Sequence, residues 1–279
     1  MKIITTVSEM REYINEQKKI SKSIGLVPTM GYLHDGHKSL IEKAASQNDI
    51  VVVSIFVNPT QFGVNEDLDK YPRDLEHDKN VASQGGASVI FHPTAAEMYP
   101  AGYKTYVNVE EITSILCGVS RPIHFRGVTT VVSKLFNIIT PDRAYFGQKD
   151  AQQLAVICRM AEDMNFDIEI VPCPIVREKD GLAMSSRNTY LSAEERAQAL
   201  SLSRGLKAAE ELCKNGEKRT DVLKDTIRAE INKMPLAEIE YIESVKFPSL
   251  ESCETAEDKT LIALAVRFGT TRLIDNIII

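Results

Sequence analysis

The sequence predicts an α/β fold in which a parallel-sheet domain is followed by a smaller α+β domain. Three observations carry this. Strand and helix patterns alternate along the first part of the chain. The run Ile50-Val51-Val52-Val53-Ser54-Ile55-Phe56-Val57 is almost continuously apolar, as a strand must be when helices cover both faces of its sheet. Beyond Val176 the chain turns polar, and two helix patterns are then followed by three strand patterns without alternation.

In order, Ile24–Val27 reads as a strand and the segment from Lys38 to Ala45 as an amphipathic helix. The strand at 50–57 is followed by a helix after Pro72 and a strand at Ser88–Phe91. A helix pattern runs from Val128 to Ile139 and is stopped by Pro141. Arg143–Phe146 is a strand, Ala151–Met164 a helix, and Ile168–Val171 a strand that closes the sheet. Ser192-Ala193-Glu194-Glu195 opens a helix with a capping box. That helix extends to Cys213, a second spans Thr220–Met234, and strands are predicted at Ile239–Val245, Thr260–Val266 and Arg272–Ile278. The predicted domains are 1–180 and 181–279, the second beginning with a mobile Ser-Ser-Arg loop.

Bulk properties narrow the function. The 279 residues include 43% apolar types, enough for packed cores, and the formal charge is −6. This acidity argues against a nucleic-acid or anionic-membrane partner, so a phosphate ligand is expected to be small. No apolar run reaches membrane-spanning length and no export signal opens the chain, so a cytoplasmic protein is expected. The five cysteines are scattered and odd in number, which reads as reduced thiols.

The most informative segment is Pro28-Thr29-Met30-Gly31-Tyr32-Leu33-His34-Asp35-Gly36-His37. It leads from a strand into a helix N-terminus, where amide N–H groups and the helix dipole favour anions and two imidazoles add directed donors. Gly36 removes a side chain where a phosphate must approach. A histidine that merely caps the helix is the alternative reading for His34. Two further strand-end segments, Asn58-Pro59-Thr60-Gln61 and Gly147-Gln148-Lys149-Asp150, converge with it if the sheet is parallel. Their amides and ammonium complement the histidines for ATP chemistry, although Lys149 also reads as an ordinary loop lysine and Asp150 with Gln153 as a capping box.

Seven ordered segments carry a resemblance: Pro28–His37, Phe56–Phe62, Tyr71–Arg73, Arg121–Val128, Tyr145–Gln153, Met184–Asn188 and Ala265–Asn276. Together they resemble the pantoate–β-alanine ligases, also called pantothenate synthetases, within the nucleotidylyltransferase superfamily with its His-x-Gly-His motif. The resemblance implies a Rossmann-like ATP- and pantoate-binding domain and a homodimer. It also implies a two-step ligase reaction in pantothenate and coenzyme A biosynthesis: ATP and pantoate give pantoyl adenylate and pyrophosphate, and β-alanine then displaces AMP.

Carried over by residue, the resemblance gives catalytic roles to His34, His37, Lys149 and Arg187, with His37 the assigned proton donor. ATP would be held by Met30, Gly31, His34, Gly36, His37, Gly147, Gln148, Lys149, Asp150, Val176, Met184, Ser185, Ser186 and Arg187. Gln61 and Gln153 would orient pantoate, and Gln61 is also the candidate for β-alanine. The superfamily's first loop lysine is absent before Ser185, so Lys149 and Arg187 share the charge. Mg²⁺ is expected with ATP, Asp78 being the candidate ligand, although His77 departs from the acidic residue some members have there and leaves phosphates and water as the main alternative. A nucleotidylyltransferase acting on a phosphorylated acceptor, or a silent nucleotide-binding protein, are the competing classes. The glutamine pair speaks against the first and the retained His37, Lys149 and serine loop against the second.

Overall fold

The computed structural model describes residues 1–64 and 66–279. It divides into two compact units: Met1–Gln148 with Val156–Pro174, and Lys149–Ala155 with Ile175–Ile279.

The first unit holds a six-stranded sheet. Its elements are β1 (Lys2–Ile4), α1 (Val7–Lys19), β2 (Ile24–Thr29), α2 (Asp35–Ala45), β3 (Ile50–Ile55), α3 (Leu75–Gln84), β4 (Val89–Phe91), α4 (Ala95–Met98), α5 (Cys117–Ser120), α6 (His124–Ile139), β5 (Arg143–Gly147), α7 (Ala151–Asp163) and β6 (Glu169–Cys173). α7 begins on the segment that packs with the second unit. Every pairing in the sheet is parallel and the order is β1-β4-β3-β2-β5-β6. The predicted parallel α/β sheet is therefore present, with β6 closing one edge as expected.

Four elements escaped the sequence reading: β1, α1, and the helices α4 and α5, whose four residues apiece are too few to show a period. β1 is three residues long, too short for a periodic signal, and pairs with β4 at the other edge. α1 buries only Met10 and Ile14, an i, i+4 pair that leaves a mostly polar pattern. Helix α2 lays Leu40, Ile41 and Ala44 against Val27, Val51, Val53 and Tyr145 of the sheet. The apolar run at β3 is explained by its position between β2 and β4, with Val51–Ile55 buried. α6 is buried along most of its length.

The second unit has α8 (Ala193–Lys214), α9 (Thr220–Ile231) and an antiparallel sheet of β7 (Ala237–Lys246), β8 (Thr260–Phe268) and β9 (Thr271–Ile278), in that order. Leu202, Leu206, Leu223 and Ile227 from the helices bury against Ile242, Leu264, Val266 and Leu273 from the strands. The capping box predicted at Ser192 is formed: its Oγ accepts the Glu195 amide at 3.2 Å, and its own N–H donates to Glu195 Oε2 at 2.8 Å. Cys117, Cys158, Cys173, Cys213 and Cys253 are all outside any disulfide.

Candidate active site

In an open parallel sheet, ligands bind beyond the carboxyl ends of the strands where the strand order reverses direction. Here the chain steps outward from β2 to β3 and β4, then returns to β5 on the other side of β2. The loop after β2 carries His34 and His37, the loop after β3 carries Asn58 and Gln61, and β5 ends at Gly147, with Gln148 opening the turn that follows. The three exits are neighbours, with Thr29 opposite Ile55 in register.

The histidine loop is built by buried polar contacts. Thr29 Oγ1 donates to Ser54 O at 2.7 Å and accepts the Gly31 amide at 3.2 Å, which fixes the exit of β2. Gly31 adopts φ +91°, and a Cβ there would lie 2.9 Å from Asp78 Oδ2, so the turn requires glycine. Asp78 is buried, and its two carboxylate oxygens accept the amides of Tyr32 (2.9 Å) and Leu33 (2.6 Å). Burial pushes the Asp78 carboxyl above its ordinary value, while the Leu33 and Tyr32 amides pull against that shift. The neighbouring His77 Nε2 donates to Leu33 O at 2.8 Å. Asp78 and His77 of α3 thus grip one loop, a structural role that spacing alone did not reveal.

His34 is the N-cap of α2. Its Nδ1 accepts the Gly36 amide at 3.1 Å, and His37 Nδ1 accepts the His34 amide at 3.3 Å. The capping reading of His34 is therefore realised, but capping does not compete with ligand binding. A ring whose Nδ1 accepts an amide N–H carries its proton on Nε2 in the neutral tautomer, which makes Nε2–H a donor. The two rings lie 4.0 Å apart between centroids, tilted by 37°, so the two donors form a pair. The structure corrects one sequence argument: the amides of Tyr32, Leu33 and Gly36 already have protein partners, so these three are not open to an anion.

Gln61 closes a short 3-10 turn, Pro59–Gln61, capped by Asn58. Its amide is held at both ends, with Oε1 accepting from Asn58 Nδ2 at 3.0 Å and Nε2 donating to Met30 Sδ at 3.1 Å. Gln61 and Met30, predicted for different ligands, are thus in direct contact. Asn58 also donates to Gly127 O at 3.1 Å, and its Oδ1 accepts from Tyr99 and Thr60 hydroxyls at 2.8 and 2.9 Å. A Cβ on Gly127 would sit 2.5 Å from Thr60 O and 2.6 Å from Gln61 Cα, so α6 touches the turn backbone to backbone. His124 Nδ1 donates to Gln61 O at 3.0 Å, and Arg121, paired with Glu66, also reaches that carbonyl at 3.4 Å. The matching segment Arg121–Val128 therefore supports Gln61, a job its sequence did not announce.

The remaining residues expected from the sequence belong to the second unit. Lys149 and Asp150 are half-buried neighbours with 3.6 Å between Nζ and Oδ2, and Gln153 follows in the first turn of α7, also half-buried. Residues 176–184 form a hairpin: Met184 N donates to Val176 O at 3.0 Å, Glu178 N to Leu182 O at 2.8 Å, and Arg177 bridges Ala183. Val176 and Met184, eight positions apart in sequence, are thereby paired. Gly181 supplies the positive φ of +100° that the hairpin turn needs. Ser185 caps the short 3-10 helix Ser186–Tyr190 by accepting the Arg187 amide at 3.2 Å, and Ser186 is buried.

Sheet topology and the His-x-Gly-His loop at its reversal point define a nucleotide-binding α/β protein of the Rossmann-like class. Comparison with known proteins narrows this. A family model for pantoate-beta-alanine ligase matches residues 2–278, and the chain belongs to that family. It is 57% identical over 279 residues to the pantothenate synthetase of Acetivibrio thermocellus, covering 100% of this chain and 99% of that one. The Clostridium acetobutylicum pantothenate synthetase is 59% identical over 276 residues, covering 99% and 98%. Among solved structures, pantothenate synthetase from Thermus thermophilus superposes with a TM-score of 0.95 at 42% identity over 99% of each chain. Pantoate-beta-alanine ligase from Francisella tularensis, in complex with beta-gamma ATP and β-alanine, superposes with a TM-score of 0.82 at 34% identity, covering 100% of this chain and 97% of that one. Among the described residues, no helix is long and apolar enough to cross a membrane.

Proposed function

We propose that this chain joins pantoate to β-alanine at the expense of ATP, releasing pyrophosphate and AMP. The observation that carries the reading is the pair of Nδ1-anchored histidines at the N-terminus of α2, placed where the sheet order reverses. In the first step a pantoate carboxylate oxygen attacks the α-phosphorus, the bond from that phosphorus to the bridging oxygen of the β-phosphate breaks, and pyrophosphate leaves with that electron pair. In the second, the β-alanine nitrogen attacks the acyl carbon, the C–O bond to AMP breaks, and a proton is lost from nitrogen. AMP is a far better leaving group than hydroxide, so the amide forms without a covalent enzyme intermediate.

His34 and His37 then direct Nε2–H groups at phosphate oxygens whose charge grows as pyrophosphate departs. Preorganised donors of this kind are worth about 10²- to 10³-fold each. Lys149 and Arg187 supply mobile and fixed positive charge for the same oxygens. Gln61 and Gln153 orient the pantoate hydroxyls as neutral amides, which avoids holding the reacting carboxylate in an over-stable ion pair. Met30, Gly31, Gly147, Gln148, Asp150, Val176, Met184, Ser185 and Ser186 complete the ATP contacts.

Mg²⁺ is the ion this chemistry implies, and the side chains do not fit a dedicated cage for it. Both Asp78 oxygens already accept amides, and no cluster of three His, Cys, Asp or Glu side chains with metal-ligand potential occurs among the described residues. In this reading the ion travels with the ATP phosphates and water. The working form is taken to be a cytoplasmic homodimer, and light scattering of the purified chain tests the dimer.

The deciding experiment is pyrophosphate release from ATP, Mg²⁺ and pantoate with and without β-alanine, with chromatography of the nucleotide product. AMP and pantothenate only in the complete mixture, and an enzyme-bound acyl adenylate without β-alanine, are expected. ADP as product, or full activity in His37→Ala, would sink the mechanism.

A further inference from the structure

The matched segment ending in Asp275-Asn276 has no part in the chemistry above, yet both residues are only 2% exposed. They sit on β9, where successive side chains point to opposite faces about 3.4 Å apart along the strand. On one face the Asp275 carboxylate takes the Arg177 guanidinium in a two-pronged ion pair, Nη1 to Oδ2 at 2.6 Å and Nη2 to Oδ1 at 2.9 Å. Arg177 Nη1 also donates to Gly181 O at 3.1 Å, so the same guanidinium spans the hairpin that pairs Val176 with Met184. On the other face, Asn276 Nδ2 donates to Lys149 O at 2.9 Å. The two anchors are themselves joined, since the Asn276 amide donates to Asp275 Oδ1 at 2.8 Å.

We infer that Asp275 and Asn276 are positioning residues for the ligase reaction: one turn-free dipeptide of β9 sets the Lys149 loop and the Val176–Met184 hairpin at a fixed separation. The inference rests on the function proposed above, because it is that reading which puts Lys149 and the hairpin on the ATP phosphates and base. Stability does not account for the arrangement. A buried ion pair gains little over well-packed apolar side chains, and β9 places Leu273 in the same core as α8 and α9. What apolar side chains cannot supply is direction: a guanidinium held at two oxygens and a carbonyl held by an amide have fixed orientations. A misplacement of about 1 Å in a catalytic group costs up to 10²-fold in rate.

The test is a double-mutant cycle on pyrophosphate release. Asn276→Ala and Asn276→Asp, both lacking the amide donor, are each expected to lower kcat about tenfold with little change in the pantoate KM. In a Lys149→Ala background the same substitutions are expected to change kcat less than about twofold, since the group they position is gone. Asp275→Asn is expected to raise the ATP KM about tenfold and leave the pantoate KM unchanged. Arg177→Lys, which keeps the charge and loses the second prong, takes its place if Asp275→Asn does not fold. Equal factors for Asn276→Ala in both backgrounds, or an ATP KM that neither hairpin variant moves, overturn the clamp in an enzyme that is otherwise active. Absence of turnover in the wild-type chain is a different result and overturns the ligase reading together with the clamp.

Discussion

Replacing Asp78 by asparagine separates two roles for a buried carboxylate. Asparagine has nearly the same shape, but one oxygen becomes an NH₂ that faces an amide N–H of Tyr32 or Leu33, which now donate at 2.9 and 2.6 Å. One charge-assisted hydrogen bond is lost and a buried donor is left without an acceptor, for a combined cost of about 3 kcal/mol. In a unit of this size about 1 kcal/mol corresponds to 2–4 °C, so the unfolding midpoint should fall by roughly 10 °C. The loop that releases its grip is the one carrying His34, so kcat for pyrophosphate release should drop about tenfold or more. In the function proposed above Asp78 holds a loop rather than a cation, so half-saturating Mg²⁺ should stay where it is. Thermal unfolding followed by circular dichroism and a Mg²⁺ titration of initial rates read the two quantities. An unchanged midpoint together with a Mg²⁺ requirement raised tenfold would refute the reasoning and make Asp78 a metal ligand.

Gly127→Ala drives a methyl group into the backbone of Thr60 and Gln61, so overpacking of about 2 kcal/mol and a raised pantoate KM are expected; a KM equal to wild type would show that Gln61 does not orient pantoate. Gly269→Ala places a Cβ on Glu195 Oε1 at a positive φ of +56°; thermal unfolding should show a loss of about 1–2 kcal/mol as the Ser192 capping box opens, without a change in kcat. Asp49 accepts the Ser23 amide at 3.0 Å and Lys22 Nζ at 3.1 Å, which with the Ser23 hydroxyl holds its carboxyl down at about 2 instead of 3.8. Its folded value is depressed, so its contribution is full above pH about 4 and is lost as pH falls towards 2; Asp49→Asn should flatten that part of an acid-unfolding series, and an unchanged acid limb would count against it.

Local pattern and burial explain what could be read in advance. The alternation of apolar runs with helix-period segments marks a parallel sheet because both faces of such a sheet are covered, and β3 shows it in sequence as plainly as in structure. The serine capping box at α8 and the stop of α6 before Pro141 are likewise contained within a few residues. β1 and α1 were illegible for the same physical reason in reverse: three residues, or two buried side chains on a polar helix, carry too little period to detect.

The site divides along the same line. His34, Gly36 and His37 form a local motif whose capping geometry follows from their spacing, and the residue types at 61, 149 and 153 are suited to ATP and pantoate without reference to any contact. What holds them is non-local. Asp78 grips Tyr32 and Leu33 across more than forty positions, Gly127 meets Gln61, and Asn276 reaches the Lys149 carbonyl from the far end of the chain. Sequence determines which segments become strand or helix, because that depends on side-chain period over a few turns. Only the tertiary structure decides which buried amide or carboxylate meets which backbone group, because each such partner is chosen by strand order and packing between segments that the chain brings together only when it folds.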